Sequence, residues 1–493
     1  MKKFKIGMLM LIIVAMAVSV CACVGDENMK TIIPFGVYEL VSYKADGLDL
    51  TNQYAIDYIE LSKGMEFTHK SVDFYGYVNN EGKYTETNNS LIAKVGKREY
   101  TYAYNASNGE LSFSGKLNGL KVESKYKRND KYVKDTSKGE KLFTEELFGE
   151  NKATSNFYNY CPTIKTEGND TIHIWYCSNQ DSGNITDFVA YRKGTLKGDG
   201  KWSFTDKELV LSPTQDTWDS RHTCDPSVVK GKFALNGENY PYLMAYLGCR
   251  TSNNMDNEVG IAVSKTPIGP WVKVENLNPI AKYINSEDFP SSGKYWGYGQ
   301  PSLVSVDKAG KVILFYTKGV SSTYTFAEFW DLSDLNNAKK LESVAISING
   351  SMNAAGTQSI INNADFAYDP YNKRIYVTTT VHPFDREQPN FISSAEHIMY
   401  INMEQTDTYV GETLLGNKYR WNNVGYIDVG VSGFKRNHNS GLLTDEYGWI
   451  TNPFKIAAVY TVSCLDSEGD GRLSPWPSLH SYRLYGCYFN VVD

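Results

Sequence analysis

Thr223-Cys224-Asp225-Pro226-Ser227-Val228-Val229, followed by Tyr242-Leu243-Met244-Ala245-Tyr246 and Val259-Gly260-Ile261-Ala262-Val263, decides the fold. Short, nearly continuous apolar runs rich in β-branched and aromatic residues read as buried strands, and the first of them opens on a polar residue and a proline. The same unit recurs on both sides. Upstream stand Cys161-Pro162-Thr163-Ile164, Ile172-His173-Ile174-Trp175-Tyr176 and Phe188-Val189-Ala190-Tyr191. Downstream follow Gln300-Pro301-Ser302-Leu303-Val304 with Val312-Ile313-Leu314-Phe315-Tyr316, and Asp365-Phe366-Ala367-Tyr368 with Arg374-Ile375-Tyr376-Val377. A fifth unit has His438-Asn439-Ser440-Gly441-Leu442-Leu443 with Gly448-Trp449-Ile450. Five such units, none able to bury its faces alone, predict a five-bladed β-propeller over residues 156–493. A large β-sandwich would explain the density of strands but not the repeated polar opening. In a propeller the innermost strands run along the axis, so the opening residues should converge on one mouth.

From Ile32 to Arg128 the pattern changes to shorter alternating strands broken by Asp46-Gly47, Asn80-Glu81-Gly82 and Asn108-Gly109, which reads as antiparallel sheet. Tyr100 to Tyr104 and Glu110 to Gly115 each carry their apolar residues on one face, and a closed barrel would satisfy every strand edge. Gly36-Val37-Tyr38-Glu39-Leu40, Gly64-Met65-Glu66-Phe67 and Tyr126-Lys127-Arg128 resemble the bacterial lipocalin-like domain, which implies a small lipocalin-like barrel over residues 30–128. Such a barrel holds one small ligand or is filled by its own aromatics. Residues 129–155 are dense in charge, with Lys131, Lys134, Asp135, Lys138, Glu140 and Lys141, and read as a linker. The expected fold class is all-β, a small barrel followed by a propeller.

The N-terminus has Lys2, Lys3 and Lys5 before the apolar run Ile6 to Val20, short for a membrane span and suited to an export signal. Val20-Cys21-Ala22-Cys23 resembles the bacterial lipobox, with Cys23 as the lipidated residue and Cys21 the poorer fit. Residues 1–23 would then be a lipoprotein signal peptide, and the mature protein an extracytoplasmic lipoprotein anchored to a membrane by acyl chains. The alternative is a plain secretory signal. The net charge is −6, from 50 basic and 56 acidic residues, and no basic stripe follows the first five positions, so no nucleic-acid partner is expected. Export suits disulfides among Cys161, Cys177, Cys224, Cys249, Cys464 and Cys487, but their spacing leaves the connectivity open and shows no zinc-ligand pattern.

Thr223-Cys224-Asp225-Pro226-Ser227-Val228, Ala262-Val263-Ser264 and Gly269-Pro270-Trp271 resemble the second blade of glycoside hydrolase family 43, the arabinanase and β-xylosidase relatives. The resemblance implies extracytoplasmic hydrolysis of an arabinose- or xylose-containing carbohydrate by an inverting two-carboxylate mechanism, with no required cofactor. Family members use a base Asp in the first blade, an orienting Asp in the second and an acid Glu opening the third. Only Asp225 matches; Cys161 and Gln300 stand at the other two positions.

Asp225 and Asp365, which opens the fourth unit, are therefore the first catalytic candidates, followed by Asp219 and Glu258. A carboxyl against apolar walls acquires the raised pKa that an acid needs. Trp218, Trp296 and Tyr298 offer faces for sugar stacking, and Arg221, His222 and Gln300 offer hydrogen bonds. At His438 the resemblance implies a calcium ion on the axis, reached through water. Set against these roles, an Asp before Pro is also a common strand-opening device, and a structural His at the axis is the alternative for His438. Asp466-Ser467-Glu468-Gly469-Asp470-Gly471 is similar to the start of a calcium loop but lacks the closing acid, and reads as a hairpin tip. A non-catalytic carbohydrate-binding lipoprotein on a degenerate propeller is the alternative function, and a protein-interaction scaffold a third. An enzyme needs paired carboxyls at the mouth, a binder aromatics and amides, a scaffold an open apolar patch.

Overall fold

The computed structural model describes residues 33–87, 89–132, 147–148, 157–179, 186–282, 295–320, 322–353, 355–382, 392–403, 419–463 and 481–491. The leader with Cys23, nearly all of the predicted linker, Cys464 and the Asp466 to Gly471 segment lie outside them. Strands dominate, and the one α-helix among the described residues is the four-residue Val429–Ser432. The chain divides into two units, residues 1–51, 57–70 and 79–133, and residues 52–56, 71–78 and 134–493.

In the first unit, alternation of apolar and polar residues gives each strand one inward face. The strands follow chain order around a closed antiparallel sheet, and Gly36–Ala45 closes it by pairing with Leu120–Arg128, from Tyr38 opposite Arg128 to Ala45 opposite Val122. Tyr38, Phe67, Tyr84, Tyr102, Tyr104 and Tyr126 pack with Leu91 and Leu111 in its interior. The barrel is therefore filled by its own aromatics.

The second unit consists of antiparallel strand stacks. His222–Leu235, Glu238–Cys249, Glu258–Ser264 and Val272–Lys273 form one sheet. Gly297–Ser305, Lys311–Gly319, Thr323–Asp331 and Lys339–Ala345 form the next, and Asp365–Asp369, Arg374–Thr380, Glu396–Asn402 and Asn422–Ile427 the one after. The first and last stacks of the unit merge into one large sheet, because their inner strands Tyr160–Glu167 and Asn437–Asp445 pair in parallel, Ile164 opposite Leu443. The short Phe157–Tyr158 strand adds to the edge of Ser481–Asn490, so the start of the unit completes its last stack.

Apolar clusters join these stacks in a closed cycle. Trp175 and Val189 of the first pack on Val228 and Met244 of the second. Leu243 and Ile261 pack on Leu303 and Leu314, Phe315 and Ala327 on Phe366 and Met399, and Ile398 on Ala458 and Val462. Val459 and Leu484 of the last stack return to Ile164 and Ile174 of the first. Among the described residues the arrangement is propeller-like, with stacked sheets around a shared centre.

At that centre the five units repeat one backbone device. Cys161, Asp225, Gln300, Asn363 and Asn439 have φ of 48°, 45°, 49°, 48° and 46°, a left-handed conformation uncommon outside glycine. Four of the five inner strands shift register there, between Tyr160 and Thr163, Cys224 and Ser227, Gly299 and Ser302, and His438 and Gly441. Each shift is a bulge that turns one side chain inward and frees the next residues from the ladder.

The residue two places later belts the stacks together. Ser227 Oγ accepts from Leu303 N at 2.8 Å, Ser302 Oγ from Phe366 N at 2.9 Å, and Asp365 Oδ2 from Leu442 N at 2.8 Å. Ser302 Oγ also donates to Asp365 Oδ1 at 2.7 Å, and Thr163 Oγ1 donates to the Pro226 carbonyl at 2.6 Å. The fifth belt position is Gly441, where a Cβ would stand 2.0 Å from the Pro162 carbonyl oxygen, so the parallel seam admits no side chain.

Two sequence expectations are corrected here. The fourth unit opens on Asn363, and Asp365 is its belt residue, because the bulge residue and the residue that reaches the next stack are two positions apart. The second strand of the fifth unit is Lys455–Val462, while Gly448-Trp449-Ile450 belongs to the turn before it. Asp365→Ala strips acceptors from two buried donors and is expected to lower the unfolding free energy by about 3 kcal/mol. Gly441→Ala should cost about 2 kcal/mol or more by overpacking the seam. Denaturant titration of both variants measures these losses.

Candidate functional site

The bulges build the site. Their side chains meet at the axis, where Cys161, Asp225, Gln300, Asn363 and Asn439 line a narrow cavity of about 40 Å³. Asp225, Gln300, Asn363 and Asn439 also form the floor of a wider cavity of about 890 Å³, a size that suits a ligand of several rings. Its walls include Tyr158, Tyr160, Arg221, His222, Trp296 and Tyr482. Asp187 Oδ1, His222 Nε2, Gln300 Oε1, Asn362 Oδ1 and His438 Nε2 are buried there without a hydrogen-bond partner within the chain. Stranded polar atoms of this kind cost free energy unless a polar ligand or solvent satisfies them.

Asp225 is the one carboxylate among the five axial side chains. Burial pushes its pKa up to about 7; a hydrogen bond from the Cys161 thiol opposes the rise, and the charge of Asp187 adds to it. Its Oδ1 lies 3.3 Å from Cys177 Sγ and 3.1 Å from Cys224 Sγ, which are joined as a disulfide. Cys161, Cys249 and Cys487 are free thiols.

The second carboxylate of the wide cavity is Asp187. Its Oδ2 lies 3.0 Å from His222 Nδ1, and the backbone N of Asp187 lies 3.2 Å from the same nitrogen. Nδ1 is thus contacted by both the carboxylate and the donating backbone N–H, while Nε2 faces the cavity. Burial pushes the pKa of His438 down to about 3, so its ring is neutral, and it packs edge-on against Tyr482 with centroids 5.1 Å apart.

Of the sequence candidates, Asp225, Arg221, His222, Trp296, Gln300 and His438 line the wide cavity. Asp219, Glu258 and Asp365 do not join them there. Asp219 is buried behind the wall, where it pairs with Lys273 Nζ at 2.5 Å and accepts from Tyr246 Oη at 3.0 Å. Glu258 is buried at the start of its strand opposite Gly248. Asp365 is held in the belt and reaches only the narrow cavity. Trp218 stacks on Tyr246 beneath Gly248 and Gly260, where any Cβ would strike its ring. Tyr298 packs on Tyr316 in the core between two stacks.

Sequence reasoning missed Asp187, Tyr158, Tyr160, Tyr482, Asn362 and Asn363. A signal for Asp187 existed. It opens the third strand of its stack opposite Asn179, as Glu258 does opposite Gly248 and Glu396 does opposite Thr380. Glu396 is consumed by hydrogen bonds from Thr380 and Ser440, and burial raises its pKa to about 7. Among the described residues, the cluster of metal-capable side chains is Cys161, Cys177 and Asp225, with Cys177 committed to the disulfide.

No protein-family profile matches the sequence, and no curated protein matches it either. Solved structures that align with the chain include glycoside hydrolases. A family 117 glycoside hydrolase from Zobellia galactanivorans aligns with a TM-score of 0.43 and 11% identity, over 74% of this chain and 92% of that one. An α-L-arabinofuranosidase from Lactobacillus brevis aligns with a TM-score of 0.44 and 10% identity, over 71% and 95%. The exo-β-1,3-galactanase of Phanerochaete chrysosporium aligns at 0.41 and 14%, over 71% and 66%.

The two carboxyls raised to about 7 give a stability signature. Both are protonated more readily folded than unfolded, so the stability they supply is full below the ordinary carboxylate range and is lost as pH rises through about 7. The thermal midpoint is expected to fall by several degrees between about pH 5 and 8. Asp225→Asn, which removes one titrating group, should flatten that fall in a calorimetric series.

Proposed function

We propose that the second unit is a five-bladed propeller and that its axial well hydrolyses a glycosidic bond in an arabinose- or xylose-containing carbohydrate. The observation that carries this reading is a buried carboxylic acid, Asp225, sharing one cavity with the Asp187–His222 pair. Asp225, protonated up to about pH 7, donates its proton to the departing glycosidic oxygen. His222, its Nδ1 held by Asp187, takes a proton through Nε2 from the water that attacks the anomeric carbon. The unpartnered amide oxygens of Gln300 and Asn362 fit sugar hydroxyls, and Trp296 and Tyr160 fit the apolar faces of the rings. This set departs from the family pattern, since a thiol and an amide occupy the positions of two carboxylates.

That departure supports a second reading, a carbohydrate-binding protein that does not turn over its ligand. Under either reading the barrel is a lipocalin-like accessory domain, and the protein is exported and anchored through Cys23. Calcium on the axis would meet the His438 ring and the amide oxygens of Asn363 and Asn439, a neutral donor set poorly matched to that ion, and no step is routed through it.

With aryl arabinofuranosides and xylosides as substrates, Asp225→Asn and His222→Ala are each expected to lower kcat by about 100-fold or more. The wild-type rate should fall above about pH 7 as Asp225 loses its proton. Unchanged turnover in both variants overturns the hydrolytic assignment. Wild-type binding of the parent oligosaccharides without turnover, weakened about tenfold by Trp296→Ala, would establish the binding reading instead.

A further inference from the structure

Four of the cysteines in the second unit gather at the floor of the well. Cys177, Cys224 and Cys249 are buried in one cluster, with Cys161, Tyr160, Leu247 and Trp296 against it. Cys249 is turned away, with its Sγ 3.2 Å from the Met255 carbonyl. The other three sulfurs surround one carboxyl group. Cys161 Sγ, Cys177 Sγ and a carboxylate oxygen of Asp225 lie within 4.8 Å of one another. The Cys161 thiol hydrogen-bonds to Asp225, while Asp225 Oδ1 also stands 3.1 Å from Cys224 Sγ. The backbone N of Asp225 donates to Cys177 Sγ at 2.8 Å, and the Tyr160 hydroxyl lies 2.9 Å from Cys224 Sγ.

An attacking thiol, an attacked sulfur and a leaving sulfur are thus arranged around an acid–base group that touches all three. The geometry points to an internal thiol–disulfide exchange site: Cys161 attacks Cys177 and releases Cys224, with Asp225 carrying the proton between them. In this step the Asp225 carboxylate accepts the Cys161 thiol proton, and the thiolate forms a new bond to Cys177 Sγ. The bond from Cys177 to Cys224 breaks with its electron pair on Cys224 Sγ. Cys224 takes the proton from Asp225, helped by the adjacent Tyr160 hydroxyl. One disulfide and one thiol are present before and after, so no outside oxidant or reductant is consumed.

The two isomers present different wells. In the first, a thiol at the narrow cavity donates to Asp225; in the second that donor is gone and a thiol on Cys224 faces the wide cavity. The site does not depend on the hydrolytic reading, because it needs only the sulfurs and Asp225.

The test is a disulfide map of the full chain. Burial and the neighbouring carboxylates hold the Cys161 thiol well above its ordinary pKa, so the exchange relies on the Asp225 carboxylate as base. Protein held at about pH 8.5, where Asp225 is ionised, is quenched in acid, its free thiols are blocked with N-ethylmaleimide, and the linked peptides are identified. A Cys161–Cys177 peptide is expected beside the Cys177–Cys224 peptide, at about a tenth of the total or more. Asp225→Asn should slow its appearance about tenfold. Cys249→Ser should leave the pattern unchanged, and loss of the new peptide in that variant would overturn the assignment to Cys161. In Cys224→Ser exposed to oxidised glutathione, a Cys161–Cys177 crosslink is the expected product. Only Cys177–Cys224 in the wild type at all times, or Cys161 and Cys177 that never join in Cys224→Ser, overturns the proposal. The wild-type map decides the matter even where the variant does not fold.

Discussion

Everything at the centre of the second unit depends on five residues held in a left-handed backbone conformation that residues other than glycine seldom adopt. For a residue other than glycine that conformation costs about 1–2 kcal/mol, and three of these positions are followed directly by proline. The strain is offset by the belt of hydrogen bonds two residues further on and by the apolar clusters between neighbouring stacks. Without the bulge, an inner strand would alternate its side chains between two packed faces and send none to the axis. Local backbone strain thus creates the one place where five stacks display polar groups together, a pattern common where structure serves a site.

Asn and Asp are the residues best suited to that conformation after glycine, and three of the five openings use them. The sequence showed the repeat because the polar residue, the proline and the following Ser or Thr survive as a short written motif in three units. It hid the fourth opening, since Asn363-Ala364-Asp365 replaces the proline by alanine and the serine by a second acidic residue. Asp365 then looked like an opening residue when it is a belt residue. The apolar strand runs gave the stacks and much of the barrel directly, since their periodicity follows from burial.

The lining of the well was only half readable from sequence. Residues on the bulges and on the approach to His222 could be found because they flank strand starts. Tyr158 and Tyr482 could not, because they come from opposite ends of the unit and meet only through the parallel pairing of Phe157–Tyr158 with Ser481–Asn490. Trp218 and Tyr298 misled for the opposite reason: aromatics beside an opening segment are as useful for roofing a core as for meeting a ligand. The pairing of Cys177 with Cys224 also required the fold, since it joins the second strand of one stack to the inner strand of the next.

The way the unit's ends are joined ties assembly to recognition. Tyr158 and Tyr482 pack ring to ring at 5.4 Å in the seam where the first segment completes the last stack, and both belong to the cavity wall. A molecule that grips these two rings therefore holds shut the place where the circle would begin to open. By mass action such a molecule disfavours opening of that seam, so occupancy of the well and closure of the circle become one linked equilibrium.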